Sequence, residues 1–343
     1  MIRALVVEDS AVSREYLCAL LETDPAITVV GTARDGAEGV ERTAELRPDV
    51  IVMDVHMPRL DGYEASRRIM EKIPTPIVMT SATLSEAELR DGFRALEAGA
   101  LTLLRKPGGP DDAGAGAMIE AVRLMAEIKV VRRWMPRARP ALAPPPEPPA
   151  MRTPRVVAIG ASTGGPPVVA NILRGLPRGF GCPVLLVQHM SGEFSAGFAD
   201  WLQTLTPLRV KLAEAAEPAR AGTVYVAAGG AHLGIDREGR IALEPPTAGN
   251  GFCPSVSRLF GSVADAFGAA SVGVLLTGMG RDGAEGLRRL REAGALTIAQ
   301  DAETSAVFGM PAEAVRLEAA ALVLPPEEIA RTIATLATRS AVR

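Results

Sequence analysis

The feature that most constrains the fold is a repeated alternation of short apolar runs with helical segments, found in both halves of the chain. In the first half the apolar runs lie at Leu5–Val7, Ile27–Val30, Val50–Met53, Pro76–Thr80 and Ala100–Leu104. In the second half they lie at Val156–Ile159, Val184–Val187, Thr223–Ala227, Val272–Leu276 and Leu296–Ile298. Strands that alternate with helices predict a parallel sheet covered on both faces. We therefore predict an α/β protein with two doubly wound parallel-sheet domains.

A stretch rich in proline and arginine separates the two halves. Between Lys129 and Arg155 the chain has seven basic residues against one acidic residue, together with eight prolines. Proline at this density favours an extended, semi-rigid spacer. A basic docking strip for an acidic partner is the alternative interpretation. We predict a first domain at residues 1–125, an interdomain helix end and Pro/Arg-rich linker at 126–152, and a second domain at 153–343.

Composition excludes several classes of protein. The formal net charge of −3 gives no general attraction to nucleic acid or to an acidic membrane surface. The three cysteines, Cys18, Cys182 and Cys253, have neither disulfide-framework nor zinc-ligand spacing, which fits a reducing compartment. The N-terminal apolar run is too short for a signal peptide, and no run approaches the roughly 18 residues that span a bilayer. We expect a cytoplasmic monomer with no membrane insertion and no nucleic-acid partner.

Polar side chains follow successive strands of the first predicted sheet. Glu8 and Asp9 follow the first strand and Asp54 the third, while Ser81 and Lys106 end the fourth and fifth. In a doubly wound sheet these strand ends share one edge. Three carboxylates there repel one another unless a divalent cation lies between them, and Mg²⁺ prefers such oxygen ligands. A carboxylate beside Mg²⁺ and a lysine can attack a phosphoryl group.

This pattern resembles a response-regulator receiver domain, which has a flavodoxin-like fold. The resemblance covers residues 1–125 and lies in the segments Glu8-Asp9, Asp54-Val55-His56-Met57-Pro58-Arg59-Leu60-Asp61-Gly62, Ser81-Ala82 and Lys106-Pro107. One position departs from it, because Leu103 stands where the family often has an aromatic switch residue.

The resemblance to receivers implies a role for each residue of the acidic pocket. Asp54 would accept phosphate from a chemotaxis-type histidine kinase. Glu8, Asp9, Asp54 and the backbone carbonyl of His56 would bind Mg²⁺. The side chains that would bind the phosphoryl oxygens and transmit the switch are Ser81 and Lys106.

The second domain opens on a strand followed by a glycine-rich turn that holds a serine. The turn reads Gly160-Ala161-Ser162-Thr163-Gly164-Gly165-Pro166-Pro167. Gly160 allows a sharp turn, and Pro166 suits the first turn of a helix. Ser162 is then at the carboxyl end of a strand and near a helix N-terminus, where α/β proteins bind ligands. A nucleophilic serine and a phosphate- or dinucleotide-binding loop are both compatible with this turn.

The remainder of the second domain favours the nucleophile. The turn lacks the Gly-Lys-Ser/Thr end of a Walker loop and the Gly-x-Gly-x-x-Gly spacing of a dinucleotide loop. A serine nucleophile needs a base, and His189 follows the strand Val184–Val187 on the predicted edge of Ser162. His232 is the rival base. Asp282, which lies between the glycine turn and the helix start of a later strand–turn–helix unit, can orient the imidazole, cap the helix, or do both.

These residues lie in motifs that resemble the protein-glutamate methylesterases of bacterial chemotaxis, which have a Rossmann-like catalytic domain. The motifs are Gly160-Ala161-Ser162-Thr163-Gly164-Gly165, Gln188-His189-Met190, Thr277-Gly278-Met279-Gly280-Arg281-Asp282-Gly283-Ala284 and Gln300-Asp301 with Gly309-Met310-Pro311. The resemblance implies a triad of Ser162, His189 and Asp282, with the backbone N–H of Met279 in the oxyanion region. Cys253 and Ser257 depart from it, because the family usually has Arg and Asp there.

The implied activity is hydrolysis of glutamate methyl esters on the cytoplasmic helices of chemoreceptors, with release of methanol. Glutamine deamidation through the same acyl intermediate is a further implied activity. We expect Mg²⁺ in the receiver domain, no cofactor in the catalytic domain, and limited access to Ser162 while Asp54 is unphosphorylated. The alternatives are a non-enzymatic phospho-dependent signalling scaffold with a degenerate esterase domain and an NAD-dependent oxidoreductase fused to a receiver, which the faulty Gly-x-Gly-x-x-Gly fingerprint disfavours. A DNA-binding output domain is disfavoured because no short basic helical module follows the linker.

Overall fold

The computed structural model describes residues 1–81, 93, 96, 100, 102–109, 112–128, 153–246 and 253–338. The chain divides into two compact units, residues 1–139 and 140–343. Most of the predicted linker, residues 129–152, lies outside the described residues. Among the described residues, no helix is both long and apolar enough to cross a membrane.

The first unit contains a five-stranded parallel sheet in the order β2-β1-β3-β4-β5. Its strands are β1 (Ile2–Val7), β2 (Ile27–Ala33), β3 (Val50–Asp54), β4 (Ile77–Ser81) and β5 (Thr102–Arg105). Its described helices are α1 (Ala11–Leu21), α2 (Gly36–Leu46), α3 (Gly62–Lys72) and α4 (Ala113–Ala126). The strand order reverses direction between β1 and β3, and in such sheets ligands bind beyond the carboxyl ends of the strands at this point. Glu8 and Asp9 follow β1, and Asp54 is the last residue of β3.

Each described helix of the first unit begins at a polar side chain that accepts from the backbone. Ser10, Asp35, Asp61 and Asp112 each accept a hydrogen bond from an N–H of the first turn of α1, α2, α3 and α4 respectively. Such caps satisfy donors that have no partner inside the helix. They fix where each helix starts, and so they also fix the loops that leave the sheet edge.

The second unit contains a seven-stranded parallel sheet in the order β14-β13-β12-β6-β7-β9-β8. The strands are β6 (Val156–Ala161), β7 (Val184–Gln188), β8 (Arg209–Leu212), β9 (Thr223–Val226), β12 (Ser271–Leu275), β13 (Leu296–Gln300) and β14 (Leu322–Leu324). An antiparallel hairpin of β10 (His232–Ile235) and β11 (Ile241–Glu244) lies outside this sheet. The order reverses between β6 and β12, so the expected site of chemistry lies beyond the ends of those two strands.

Helices cover the large sheet in two groups. They are α5 (Gly165–Arg174), α6 (Ser195–Leu205), α7 (Val256–Phe267), α8 (Ala284–Glu292), α9 (Met310–Arg316) and α10 (Pro326–Thr338). Helix α5 packs against α6 and α10, whereas α8 packs against α7 and α9. Every residue of β6, β7 and β12 is buried, as expected for central strands covered on both faces. The predicted α/β class with two doubly wound parallel sheets is confirmed.

The predicted elements differ from the structure mainly at the margins of the second sheet. The sequence analysis did not predict β8, β14 or the β10–β11 hairpin. These strands have only three or four residues, and β8, β11 and β14 are only partly buried. Their apolar patterns are therefore too short to indicate a strand. The prediction of a sharp turn at Gly160 is wrong, because β6 continues to Ala161. The left-handed residue is Gly164, with φ of 71°, which precedes α5.

Candidate active site

Ser162 and His189 are neighbours because they follow paired strands in register. Strands β6 and β7 are parallel and end at the pair Ala161 and Gln188. One residue further along, the backbone N–H of His189 donates to the carbonyl oxygen of Ala161 at 2.9 Å. The two side chains therefore start from adjacent positions at the carboxyl edge of the sheet, as the sequence analysis predicts.

The backbone of Ser162 is held from several directions. Its N–H donates to the Thr277 carbonyl at 3.0 Å, which ties it to the loop after β12. Its carbonyl accepts from the N–H of Gly165 and from Nε2 of Gln188, each at 2.8 Å. Thr277 is in turn held by the buried side chain of Gln300, whose Oε1 accepts from its N–H at 2.8 Å. These contacts fix the position from which the hydroxyl is presented.

His189 forms a direct contact with Asp282. Its Nε2 lies 2.9 Å from Oδ2 of Asp282, and the two side chains are only 7% and 11% exposed. Because an ionised carboxylate only accepts hydrogen bonds, Nε2 carries the proton in this pair. In a neutral imidazole the lone pair is then on Nδ1, which is the nitrogen that can take a proton. The structure brings His189, and not the rival His232, into direct contact with Asp282.

The carboxylate of Asp282 lies against the N-terminus of helix α7. The backbone N–H groups of Val256 and Ser257 donate to it at 2.7 and 3.1 Å. The Ser255 hydroxyl, which belongs to the N-cap residue of α7, donates at 3.0 Å. Donors at a helix N-terminus favour a negative charge. Burial alone would raise the pKa of Asp282, but the hydrogen bonds from His189, Ser257 and Val256 outweigh it and hold that pKa far below its usual value.

Asp282 is not the N-cap of the helix that follows it. Helix α8 begins after Gly283, which has φ of 90° and is the N-cap residue. The capping role considered for Asp282 is therefore wrong, since this carboxylate binds the N-terminus of α7 instead. The sequence analysis missed the donors from residues 255–257. A signal for the start of this helix was available, because Ser255 precedes an apolar helical run and serine is a common N-cap residue.

The loop after β12 brings Met279 to the same edge. The flanking Gly278 is anchored, because its N–H donates to Val307 at 3.0 Å and its carbonyl accepts from Met310 at 2.9 Å. The N–H of Met279 donates to no residue in the described part of the chain. Gly278 also lies against the nucleophile, since a Cβ built on it would be 2.6 Å from the Ser162 Cβ. Met279 therefore directly follows a residue that packs against Ser162.

Three residues depart from the family pattern, and the structure gives each a place. Leu103 is buried in β5. Cys253 is half-buried and precedes the Ser255 turn. Ser257 contacts the carboxylate of Asp282 through its N–H, and its hydroxyl accepts from the N–H of Gly283 at 2.7 Å. Ser257 is therefore part of the structure that holds the Asp282 loop.

In the first unit, Lys106 joins two buried carboxylates. Its Nζ lies 2.8 Å from Oε2 of Glu8 and 2.8 Å from Oδ2 of Asp54. Burial raises the pKa of Glu8 and of Asp54, and Lys106 opposes part of this effect. For Lys106, burial works against the charged form, but the two carboxylates outweigh it and raise its pKa.

Glu8, Asp9 and Asp54 form a cluster of oxygen ligands. One carboxylate oxygen from each lies within 4.8 Å of the others. Three acidic oxygens this close repel one another, and they match the ligand set that Mg²⁺ prefers. The donor set therefore fits a hard divalent cation.

The remaining predicted pocket residues lie at the same edge. Ser81 is buried at the end of β4, and its carbonyl accepts from the N–H of Lys106 at 2.8 Å. The backbone N–H of His56 donates to the carboxylate of Asp54, whereas its side chain is exposed. The structure thus brings Asp54, Lys106 and Ser81 together at the edge predicted from their strand positions.

Comparison with known families identifies both units. Residues 157–333 match the family model described as CheB methylesterase, and residues 4–115 match the response regulator receiver domain. The crystal structure of the Thermotoga maritima CheB methylesterase catalytic domain is similar, with a TM-score of 0.52 and 35% identity. It covers 54% of this chain and 100% of that one.

Full-length relatives share this arrangement. Protein-glutamate methylesterase/protein-glutamine glutaminase 1 of Syntrophus aciditrophicus (strain SB) is 50% identical over 351 residues, covering 98% of this chain and 99% of that protein. Protein-glutamate methylesterase/protein-glutamine glutaminase 4 of Geobacter metallireducens (strain ATCC 53774 / DSM 7210 / GS-15) is 49% identical over 344 residues, with coverage of 98% and 99%. Both resemblances inferred from the motifs are thereby confirmed, and the chain belongs to the CheB methylesterase family, with a response regulator receiver domain preceding the catalytic domain.

Proposed function

We propose that this chain is a phosphorylation-regulated protein-glutamate methylesterase in which Ser162, His189 and Asp282 form the catalytic triad. The observation that carries the proposal is the 2.9 Å contact between His189 and Asp282 beside the strand end that presents Ser162. A serine, a base and a carboxylate that orients the base are the groups that acyl transfer requires. No residue of this constellation is degenerate, which favours an enzyme over a scaffold.

In the proposed reaction, Oγ of Ser162 attacks the ester carbonyl of a methylated glutamate while Nδ1 of His189 takes the hydroxyl proton. Asp282 stabilises the resulting imidazolium through Nε2. His189 then gives the proton to the departing methoxide, so that methanol leaves and a glutamyl-serine ester remains. Water, deprotonated by the same imidazole, attacks this ester, and the collapse of the second tetrahedral intermediate returns a proton to Ser162 and frees the glutamate carboxylate.

The oxyanion of each tetrahedral intermediate needs a hydrogen-bond donor. We assign this role to the backbone N–H of Met279, supported by its place beside Ser162 and by the anchoring of Gly278. Loss of one such donor in a serine hydrolase costs about 3–4 kcal/mol in transition-state stabilisation. No cofactor is needed in the catalytic domain for these steps.

Glutamine deamidation uses the same groups. Ser162 would attack the amide carbonyl, and His189 would give its proton to the departing amide nitrogen, so that ammonia leaves in place of methanol. The printed names of the relatives combine a methylesterase with a glutaminase, which supports this second activity.

In the receiver, we assign phosphoryl acceptance to Asp54. Lys106 and Ser81 would bind the phosphoryl oxygens, and Glu8, Asp9, Asp54 and the carbonyl of His56 would hold Mg²⁺. The metal, when bound, neutralises charge on the transferring phosphoryl group. The expected partners are a chemotaxis-type histidine kinase and methylated chemoreceptors, which implies a cytoplasmic site of action. We retain the domain limits of 1–125, 126–152 and 153–343, and a monomer as the working unit.

The proposal is tested by incubating the full chain with a methylated chemoreceptor fragment and measuring methanol, with and without Mg²⁺ and a small phosphodonor such as acetyl phosphate. We expect methanol in both cases and a higher rate with the phosphodonor. A fragment carrying glutamine at the same position tests ammonia release. A chain that binds the fragment but releases no methanol with the phosphodonor present would support the scaffold alternative.

A further inference from the structure

His232 is a buried histidine that the proposed reaction does not use. It is the first residue of β10 and is 6% exposed. Its Nδ1 accepts a hydrogen bond from the backbone N–H of Ser255 at 3.2 Å. This contact joins the hairpin to the residue that begins helix α7.

Ser255 belongs to the turn that holds the triad carboxylate. Its hydroxyl donates to Asp282 at 3.0 Å, and the next two residues donate their N–H groups at 2.7 and 3.1 Å. The position of Ser255 thus determines where these three donors lie. Two successive hydrogen bonds, through Ser255, connect His232 to Asp282, and a third connects Asp282 to the imidazole of His189.

From this chain of contacts we propose that His232 is a positioning residue for the esterase reaction, and that it acts only as a neutral imidazole. The proposal rests on the proposed function. Its neutral ring offers one acceptor nitrogen, which receives the Ser255 N–H. A protonated ring carries N–H groups on both nitrogens and opposes that donor. Protonation of His232 would therefore shift the Ser255 turn and weaken its hold on Asp282.

Charged groups surround His232 on three elements. Arg258 projects from α7, Glu244 lies opposite His232 in the hairpin register, and Asp282 lies beyond Ser255. Arg258 and Glu244 face each other at 3.4 Å, so their charges partly cancel. Burial and then Arg258 lower the pKa of His232, against the opposite effect of Glu244 and Asp282. The ring is therefore neutral at pH 7, in the form that accepts from Ser255.

Two substitutions distinguish the effect of the hydrogen-bond acceptor at position 232 from the effect of protonating the imidazole. In His232→Asn, the side-chain oxygen can accept from Ser255 in place of Nδ1 and does not titrate. In His232→Leu, no acceptor remains. Ser262→Ala is the matched control, because Ser262 also bridges the hairpin to α7: its hydroxyl accepts from Ile235 at 3.2 Å and donates to Leu259 at 2.8 Å. That bridge makes no contact with the Asp282 turn.

The experiment measures kcat and KM for methanol release by the full chain between pH 5 and 9. We expect His232→Leu to lose about tenfold in kcat with KM nearly unchanged, which corresponds to one lost hydrogen bond. His232→Asn should recover most of that loss at pH 8. On the acid side, log kcat should fall more steeply with decreasing pH in the wild-type protein than in His232→Asn, because the imidazole of His232 gains a proton there and the amide of Asn does not.

Three results would overturn the inference. They are wild-type kcat in His232→Leu, an equal loss in Ser262→Ala, and an acid limb in His232→Asn as steep as in the wild-type protein. A wild-type protein that releases no methanol contradicts the proposed function itself. A loss of kcat in His232→Leu that His232→Asn largely recovers, with Ser262→Ala unaffected, supports the positioning role.

Discussion

The backbone N–H of Val256 donates to Oδ2 of Asp282 at 2.7 Å, and this is one of three hydrogen bonds that join the start of helix α7 to that carboxylate. The oxygen that accepts it also faces Nε2 of His189 at 2.9 Å. A residue distant in sequence therefore fixes the acceptor that orients the proposed base. The N-terminus of a helix supplies part of the electrostatic setting of the triad.

Replacement of Asp282 by Asn is expected to lower kcat for methanol release by about 10³-fold or more, as loss of the orienting carboxylate does in other serine hydrolases. The amide of Asn has one NH₂ group, which must face either Nε2 of His189 or the N–H groups of Val256 and Ser257. In both orientations two hydrogen-bond donors oppose each other and the hydrogen bond is lost. The measurement is steady-state methanol release by the folded variant. Asp236→Asn, at the turn of the β10–β11 hairpin, is the control and should retain activity. A variant of Asp282 with more than a tenth of the wild-type kcat contradicts the triad.

Asp282 also makes the catalytic unit sensitive to acid. Its pKa is lowered in the folded state, so its contribution to stability is present above the unfolded value of about 3.9 and is lost as pH falls through the folded pKa. We expect Asp282→Asn to be less stable than the wild-type protein at pH 7, and the difference to shrink below about pH 4. Urea unfolding can be followed through the buried Trp201, with Trp134 replaced by Phe in both proteins. A difference that is constant between pH 7 and pH 3 argues against this assignment.

Gly278 has no room for a side chain. A Cβ there would be 2.6 Å from the Ser162 Cβ and would also meet Sδ of Met310. Gly278→Ala should therefore displace the nucleophile turn or the Met279 loop, with a stability loss of about 1–3 kcal/mol. We expect at least a hundredfold loss of kcat, because small displacements of reacting groups have this effect. Gly179→Ala is the control, since a Cβ there meets nothing within 4 Å. Equal activity of the two variants would show that the packing does not constrain the site.

Phosphorylation of the receiver should depend on Asp54 and on a divalent cation. With acetyl phosphate and Mg²⁺, we expect one phosphoryl group per chain in the wild-type protein and none in Asp54→Asn, measured by intact mass or phosphate-affinity electrophoresis. Chelation with EDTA should prevent incorporation, because the acidic cluster then lacks its neutralising ion. Asp49→Asn is the control, since Asp49 lies just before β3, at the opposite end of that strand from Asp54. Incorporation into Asp54→Asn at the wild-type level would reassign the phosphorylation site.

The residues that the sequence analysis placed together share one physical basis. In the sequence, Ser162 and His189 follow apolar strands of the second unit, and Asp54 and Lys106 follow apolar strands of the first. The parallel strands of any one sheet end at the same edge. This rule predicts proximity from one-dimensional order alone. The fold class and the family follow from the same strand pattern and from the motifs at the strand ends.

What could not be predicted depends on contacts between distant elements. The turn at residues 255–257 meets Asp282 through the Ser255 hydroxyl and two backbone N–H groups. Ser255 signals a helix start, but the sequence does not indicate which carboxylate that helix binds. His232 begins a four-residue strand whose hairpin includes Gly234, so the pattern there is too short to indicate a strand. The capping role considered for Asp282 is wrong because Gly283, which adopts positive φ, is the N-cap residue of α8.

The most direct test of the account is methanol release by Ser162→Ala and by Ser191→Ala in the full chain, activated with Mg²⁺ and acetyl phosphate. Ser191 is a matched control because it follows β7 as Ser162 follows β6, is exposed, and donates to Glu193 at 3.2 Å. We predict that Ser162→Ala releases methanol at less than about 10⁻³ of the wild-type rate while Ser191→Ala keeps the wild-type rate. Release by folded Ser162→Ala at a rate close to that of the wild-type protein would contradict the assignment of Ser162 as the nucleophile.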